Sequence, residues 1–187
     1  MRDLSKTEIR VNDELKLVVP SIHQVDELVN LFQSSENLEF IGKYPDWPHN
    51  PNLKERLTEW INQSSDGVFL PLLILHGEET AGICRLLNIS YEHEKVEFGY
   101  ILLPKFTRKG IATAAVKAML EFAFNELCLN RVELIIDSRN TDSIRLAKRL
   151  DFTYEGTLRQ DYKYKYSQPG KYSDGMVFSI LKSEYKS

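Results

Sequence analysis

Cysteine and histidine are both scarce in this chain of 187 residues. The two cysteines, Cys84 and Cys128, are too few and too far apart in sequence to build a disulfide framework or paired zinc ligands. The 4 histidines are scattered without the short spacing of metal-ligand motifs. We therefore expect reduced cysteines, which favours the cytoplasm, and we expect no metal site.

Long apolar runs and an excess of positive charge are also missing. The chain has no stretch of about 18 or more apolar residues, and Met1 to Arg10 contains no apolar signal core, so no membrane contact is predicted. The 24 Lys and Arg residues against 27 Asp and Glu leave a net charge of -3, which argues against a nucleic-acid partner. Without a linker or low-complexity tract, residues 1–187 are predicted to form one domain.

The stretch from Val96 to Phe124 predicts a strand, a basic loop and a helix. Its β-favouring run ends at Pro104, which cannot donate to a sheet ladder. Directly after the loop, apolar residues recur at helical spacing. The helix should therefore begin beside Arg108, Lys109 and Gly110, where unpaired backbone N–H groups, two cations and a glycine suit a phosphate.

Strand and helix patterns follow one another along the whole chain. The predicted order is a strand, two helices, three strands, a helix, a strand, a helix and two strands. The first strand spans residues 8–19, with a tight turn possible at Asn12 and Asp13, and Asn140 can cap the last helix. The unit from Val96 to Asp137 requires a parallel crossover. These patterns predict a single α/β (α+β) domain with helices on both faces of a mixed sheet.

Four motifs in a fixed order make this chain similar to a known family. They are Gly99-Tyr100-Ile101-Leu102, Arg108 to Thr113, Asn140-x-x-Ser143, and the run from Leu150 to Leu158. Together they resemble the GNAT acetyltransferases, and most of all the RimJ/RimL branch, which acetylates the N-termini of ribosomal proteins. The resemblance covers nearly the whole chain. It implies a mostly antiparallel sheet of about seven strands flanked by four helices.

The resemblance also implies acetyl-CoA as cosubstrate and direct transfer of its acetyl group to an amine in a ternary complex. The basic loop would hold the pyrophosphate, the preceding strand would pair with the pantetheine arm, and the later Asn-led helix would contact the cofactor. The predicted cofactor-binding residues are Ile101, Leu102, Leu103, Arg108, Lys109, Gly110, Ile111, Ala112, Thr113, Asn140 and Ser143.

Acetyl transfer requires a base for the amine and a proton for the departing thiolate. Glu97, on the strand that would carry the acetyl group, is the predicted base, with Asp46 and Glu39 as rivals. Many GNAT enzymes use a tyrosine as the acid, but Ala147 occupies that position, and the Rim-type branch implies Ser143 instead. The plain alternatives are a surface carboxylate at the first site and a serine that merely supports the helix cap at the second.

Two positions depart from the family pattern. Thr107 occupies the first position of the signature Gln/Arg-x-x-Gly-x-Gly/Ala, and Asp151 precedes Phe152 where Gly-Phe is usual. Neither change removes the backbone N–H groups that would hold a pyrophosphate. Together with Ala147, however, Thr107 leaves a non-catalytic acyl-CoA-binding domain as an alternative function.

The acceptor is expected to bind at a proline-rich loop, residues 34–52. Tyr44 and Trp47 lie there outside any periodic element, which favours a role in substrate binding. The loop also carries carboxylates that suit a cationic acceptor, so a protein N-terminus and a small amine such as a polyamine or aminoglycoside both stay open. Three alternating tyrosines on the last hairpin would pack, wall this site or form a homodimer contact. They are Tyr162, Tyr164 and Tyr166.

Overall fold

The computed structural model describes residues 3–34, 51–163 and 170–186. Within these ranges lie eight strands and four α-helices. The strands are β1 (Glu8–Arg10), β2 (Leu15–Val18), β3 (Leu70–His76), β4 (Glu79–Ser90), β5 (Lys95–Leu102), β6 (Arg131–Asp137), β7 (Thr153–Lys163) and β8 (Tyr172–Leu181). The helices are α1 (Val25–Ser34), α2 (Leu53–Gln63), α3 (Ile111–Glu121) and α4 (Thr141–Arg149). Among these helices, none has the length and apolar content of a membrane span.

The strands form one sheet in the order β1-β2-β3-β4-β5-β6-β8-β7. Neighbours are antiparallel except for β5 and β6, which are parallel, so the predicted crossover and the mixed, mostly antiparallel class are confirmed. The sheet has eight strands where about seven were expected. The cause is Asn12, whose side-chain oxygen accepts hydrogen bonds from the N–H groups of Glu14 and Leu15 and divides the first predicted strand into a hairpin.

Helices cover both faces of the sheet, as the order of strand and helix patterns predicted. On one face α1 and α2 pack over Ile83 and Ile101. On the other face α3 and α4 pack over Cys84 and Phe98. Because side chains alternate along a strand, the two ends of the β5 sequence Glu97 to Tyr100 point to opposite faces. Glu97 therefore lies on the face covered by α1 and α2.

Strands β5 and β6 separate after a short seam. Their parallel register joins Lys95, Val96 and Glu97 to residues 131–133. Beyond it, β5 continues to Leu102 against β4, while β6 continues to Asp137 against β8. The β5 edge that follows Glu97 therefore faces a gap within the sheet.

Left-handed backbone occurs at the start of α3 and just after the end of α4. Gly110 precedes α3 with φ of 79°, so the predicted helix start after this glycine is confirmed. Asp151 follows α4 with φ of 60°, at the position where the family usually has glycine. A left-handed conformation is costly for most residues, but Asp and Asn tolerate it better than branched side chains. Asp151 can therefore replace that glycine without changing the path of the chain.

Candidate functional site

A cavity of about 520 Å³ lies where β5 leaves β6. The end of β5 forms one wall, and the others are formed by the first turn of α3 with the loop before it and by one side of α4. Residues of α3 and of α4, which are about 30 positions apart in sequence, thus lie together beside the end of β5. The cavity wall contains nine of the residues predicted to bind the cofactor: Ile101, Leu102, Arg108, Gly110, Ile111, Ala112, Thr113, Asn140 and Ser143.

The start of α3 presents backbone donors to the cavity. The first helical hydrogen bond runs from the N–H of Ala114 to the carbonyl of Gly110, at 3.0 Å. The three N–H groups before it have no partner within the helix, and they carry the positive end of the helix dipole. A Cβ at Gly110 would meet nothing within 4 Å, so backbone conformation, not crowding, is what favours glycine there. Such a helix start suits an anionic group.

The start of α4 is capped as the sequence predicted. The side-chain oxygen of Asn140 accepts a hydrogen bond of 3.1 Å from the N–H of Ser143. The Asn140 carbonyl also accepts the first helical bond, from Ile144. This cap fixes the first turn of α4 and with it the position of Ser143 in the cavity wall.

Tyr100 and Ser143 are in direct contact across the cavity. Their hydroxyl oxygens are 2.6 Å apart, and either can donate. Burial raises the pKa of Tyr100 to about 12, although the hydrogen bond with Ser143 opposes that rise. The tyrosine therefore stays protonated at neutral pH. The sequence predicts no role for Tyr100 although it stands in one of the four motifs, because nothing local indicates its contact with a residue on a later helix.

Arginines line the cavity besides Arg108. Arg139 Nη2 is 2.6 Å from a carboxylate oxygen of Asp137, a buried residue at the end of β6. Burial alone would raise the pKa of Asp137, but hydrogen bonds from the side chain and backbone of Arg139 outweigh it and lower that pKa. Arg145 and Arg149 also lie in the wall. Their i,i+4 spacing was the available signal that both share one side of α4.

Two predicted cofactor residues lie beside the cavity wall and not in it. Leu103 donates its N–H to the carbonyl of Ala81 at 2.9 Å, at the end of the sheet. The ammonium of Lys109 lies 5.6 Å from the centre of the Phe106 ring. Contact of either residue with a cofactor stays a prediction.

The predicted base lies apart from these groups. Glu97 is buried, and Asn88 Nδ2 donates to its carboxylate at 3.4 Å. Asn88 has φ of 54° and lies where the β4–β5 register shifts, a bulge that changes the direction of nearby side chains. Within the described residues Glu97 is thus held from the side of the sheet opposite the Tyr100–Ser143 contact. The predicted acceptor residues Tyr44 and Trp47, and the rival bases Glu39 and Asp46, lie outside the described residues, as do Tyr164 and Tyr166.

Comparison with known families identifies the family of this chain. A family model described as an acetyltransferase (GNAT) domain matches residues 14–153, which is most of the chain. The chain belongs to the GNAT acetyltransferase family. The predicted fold class and the predicted enzyme class, an acyltransferase, are therefore confirmed.

Three relatives show what this GNAT domain is similar to. An uncharacterized N-acetyltransferase p20 of Bacillus licheniformis is 36% identical over 114 residues, 61% of this chain and 62% of p20. A spermidine N(1)-acetyltransferase of Escherichia coli is 31% identical over 57% of this chain and 55% of its own length. The putative ribosomal N-acetyltransferase YdaF of Bacillus subtilis is 27% identical over 95% of this chain and 96% of its own length. The chain thus spans less than two thirds of the first two relatives and nearly all of the third.

Solved structures agree with this GNAT fold over almost the whole chain. A RimL ribosomal L7/L12 α-N-protein acetyltransferase in complex with coenzyme A gives a TM-score of 0.83 at 20% identity, covering 94% of this chain and 98% of its own. A spermidine N-acetyltransferase from Vibrio cholerae in complex with CoA and spermine gives 0.80 at 22% identity, covering 93% and 99%. At these identities the likeness establishes the fold.

Proposed function

We propose that this GNAT domain is an acetyl-CoA-dependent N-acetyltransferase of the RimJ/RimL type, with the α-amino group of a protein, ribosomal in the first instance, as acceptor. The observation that carries the proposal is the cavity between β5 and β6, where two helix N-termini and four arginines face a bared strand edge. Helix N-termini and guanidinium groups bind phosphates, and a strand edge pairs with an extended chain. Coenzyme A offers both features in one molecule.

The residues of the cavity fit acetyl-CoA in two ways. The uncrowded left-handed Gly110 and the N–H groups that follow it would receive the pyrophosphate, with Arg108 beside them. The β5 backbone at Ile101 and Leu102 lines the same cavity and would pair with the pantetheine arm. When bound, the cosubstrate supplies an activated acetyl thioester at the gap in the sheet.

Direct transfer is supported by the positions of the proposed base and donor. Glu97 lies on the face of β5 covered by α1 and α2, whereas Ser143 lies on the face covered by α3 and α4. An amine entering from the first face would lose its proton to Glu97 through water. The departing sulfur would then receive a hydrogen bond from Ser143 on the second face. In this arrangement the two substrates reach the gap from opposite sides and need no acyl-enzyme.

A protein N-terminus is our preferred acceptor because YdaF aligns over nearly the full length of both chains. An N-terminal amine has a pKa of about 7.7–8.0, so a modest base is sufficient. The spermidine acetyltransferase of Escherichia coli, more similar over a shorter segment, makes a polyamine the second candidate. A single domain for residues 1–187 is also proposed, supported by a sheet that is continuous from β1 to β7. A cytoplasmic location and a homodimer stay predictions.

An acceptor panel tests the proposed function. The protein is incubated with acetyl-CoA and peptides that begin with serine or alanine, the same peptides already acetylated at the N-terminus, and spermidine and spermine. Thiol release and product mass are measured together. We expect release with free peptides and none with blocked ones. Preference for the polyamines would select the second candidate, and cofactor binding without turnover on every acceptor would overturn the proposal.

A further inference from the structure

We propose that Tyr100 is a positioning residue for the departing thiol: its hydroxyl holds Ser143 so that one O–H of the pair points into the cavity at the thioester sulfur. This inference rests on the proposed acetyl transfer and adds a residue to it. Tyr100 comes from β5 and Ser143 from α4, and both line the cavity. Their contact is therefore the point where the strand side and the helix side of the site meet.

Ser143 is fixed at both its backbone and its side chain. Its N–H donates to Asn140 Oδ1 at 3.1 Å, and its hydroxyl lies 2.6 Å from the hydroxyl of Tyr100. A serine in the first turn of a helix often turns its hydroxyl to nearby backbone groups. The contact with Tyr100 opposes that alternative and holds the Ser143 oxygen on the cavity side.

The count of hydrogens shows how the pair keeps a donor for the cavity. Two hydroxyl groups bring two hydrogens, and one of them is used between the oxygens. In the proposed arrangement Tyr100 donates to the Ser143 oxygen, which leaves the hydrogen of Ser143 for the cavity. Deprotonation does not remove this donor at neutral pH, because the pKa of Tyr100 is raised to about 12.

The weak acidity of the two hydroxyl groups means that the pair donates a hydrogen bond to the sulfur and does not transfer a proton to it. An alkyl thiol has a pKa of about 8.5, so neither a serine nor this tyrosine would give up its proton to a free thiolate. When the carbon–sulfur bond breaks, its electron pair goes to sulfur, and the outward O–H stabilises that charge by a hydrogen bond. The thiolate then takes its proton from water, and the proton lost by the amine leaves through Glu97 to water. Both hydroxyl groups end the cycle unchanged.

A double-mutant cycle tests the inference in the full-length chain. The variants are Tyr100→Phe, Ser143→Ala and their combination, with Tyr185→Phe as matched control. Tyr185 is a partly buried tyrosine whose ring packs against Phe124 at 5.4 Å, outside the cavity wall. Each variant is measured for kcat, for the KM of acetyl-CoA, for its thermal midpoint and for its pH profile.

We expect Tyr100→Phe to lower kcat about tenfold, the equivalent of one good hydrogen bond in the transition state, with the KM for acetyl-CoA within twofold. The double variant should have a kcat no lower than that of Ser143→Ala, and the Tyr185→Phe control should match the parent. Below pH 9 the pH profile of kcat should have the same shape in every variant as in the parent. Parental kcat in Tyr100→Phe, or multiplying effects in the double variant, would overturn the inference alone. A parent that releases no thiol with any acceptor would overturn the proposed function first, and this inference with it.

Discussion

Arg149, the last residue of α4, donates a hydrogen bond of 2.6 Å to the side-chain oxygen of Thr113 in the first turn of α3. Both residues lie in the cavity wall. The contact joins the two helices at the place where phosphate groups are expected to bind. It also keeps the guanidinium beside the N–H groups that begin α3.

Replacing Arg149 by methionine should weaken acetyl-CoA binding about tenfold, because one charge-assisted contact to phosphate is lost while the aliphatic stem is retained. The dissociation constant is measured by calorimetry in low and in high salt. Lys148→Met, at the exposed neighbouring position, is the control and should bind as the parent does. Equal dissociation constants for the two variants would place Arg149 outside the binding site.

Replacing Gly110 by valine should lower both the stability of the fold and the affinity for acetyl-CoA, and a second glycine replacement distinguishes the two effects. Valine in a left-handed conformation costs about 1–2 kcal/mol, so the variant should unfold earlier and bind acetyl-CoA more weakly. Gly77→Val is a matched control, since Gly77 has φ of 62° with nothing within 4 Å of a Cβ but lies in the β3–β4 turn. We expect both variants to lose similar stability in urea and only Gly110→Val to lose affinity. The same affinity loss in both would show that the effect is strain alone.

Glu97→Gln should lower kcat most at neutral pH. An N-terminal amine has a pKa of about 7.7–8.0, so at pH 9 most of the acceptor is already deprotonated and the base is needed less. The ratio of parental to variant kcat should therefore fall from about 100 at pH 7 towards about 10 at pH 9. Glu92→Gln, in the exposed β4–β5 turn, is the control. A ratio that does not change with pH would mean that Glu97 acts on the fold or on the cosubstrate instead.

Glu155 makes the stability of the folded chain depend on pH, independently of the candidate site. Two hydrogen bonds of 2.6 Å from Arg131 lower the pKa of the Glu155 carboxyl to about 2, and a bond from Ser179 adds to the shift. Because the folded pKa lies below the unfolded value of about 4.3, this contribution is complete above that value and is lost as the pH falls towards 2. In urea titrations Glu155→Gln should be less stable than the parent at pH 7, and the two stabilities should converge between about pH 4.3 and 2. If the stabilities of parent and variant differ by the same amount at every pH, the Arg131–Glu155 pair does not contribute to acid unfolding.

Local chemistry explains what the sequence could predict about this site. Gly110 marked the start of α3 because it stands just after a basic loop, and Asn140 marked the start of α4 because its side chain caps the turn that follows. Both signals act within a few residues. Side-chain alternation along β5 is equally local, and it puts Glu97 and Tyr100 on opposite faces of the sheet.

What the sequence could not predict depends on contacts between distant segments. The hydroxyl groups of Tyr100 and Ser143 meet across 43 positions of sequence, and Arg149 reaches Thr113 across 36. The left-handed φ of Asp151 is a third case: the resemblance indicated that this residue stands where glycine is usual, but an aspartate side chain does not show that the backbone stays left-handed. Packing of whole helices against the sheet sets all three, and no local pattern encodes it.

The short seam between β5 and β6 divides the sheet into two parts. One part comprises β1 to β5 and holds Glu97; the other comprises β6, β8 and β7, and its strand β6 leads to α4, which carries Ser143. The Tyr100–Ser143 hydrogen bond therefore connects the two parts beyond the seam. A cosubstrate paired with the bared β5 edge would lie in the opening and contact both parts. The proposed base and the proposed thiol-side hydroxyl would then be aligned on one bound molecule.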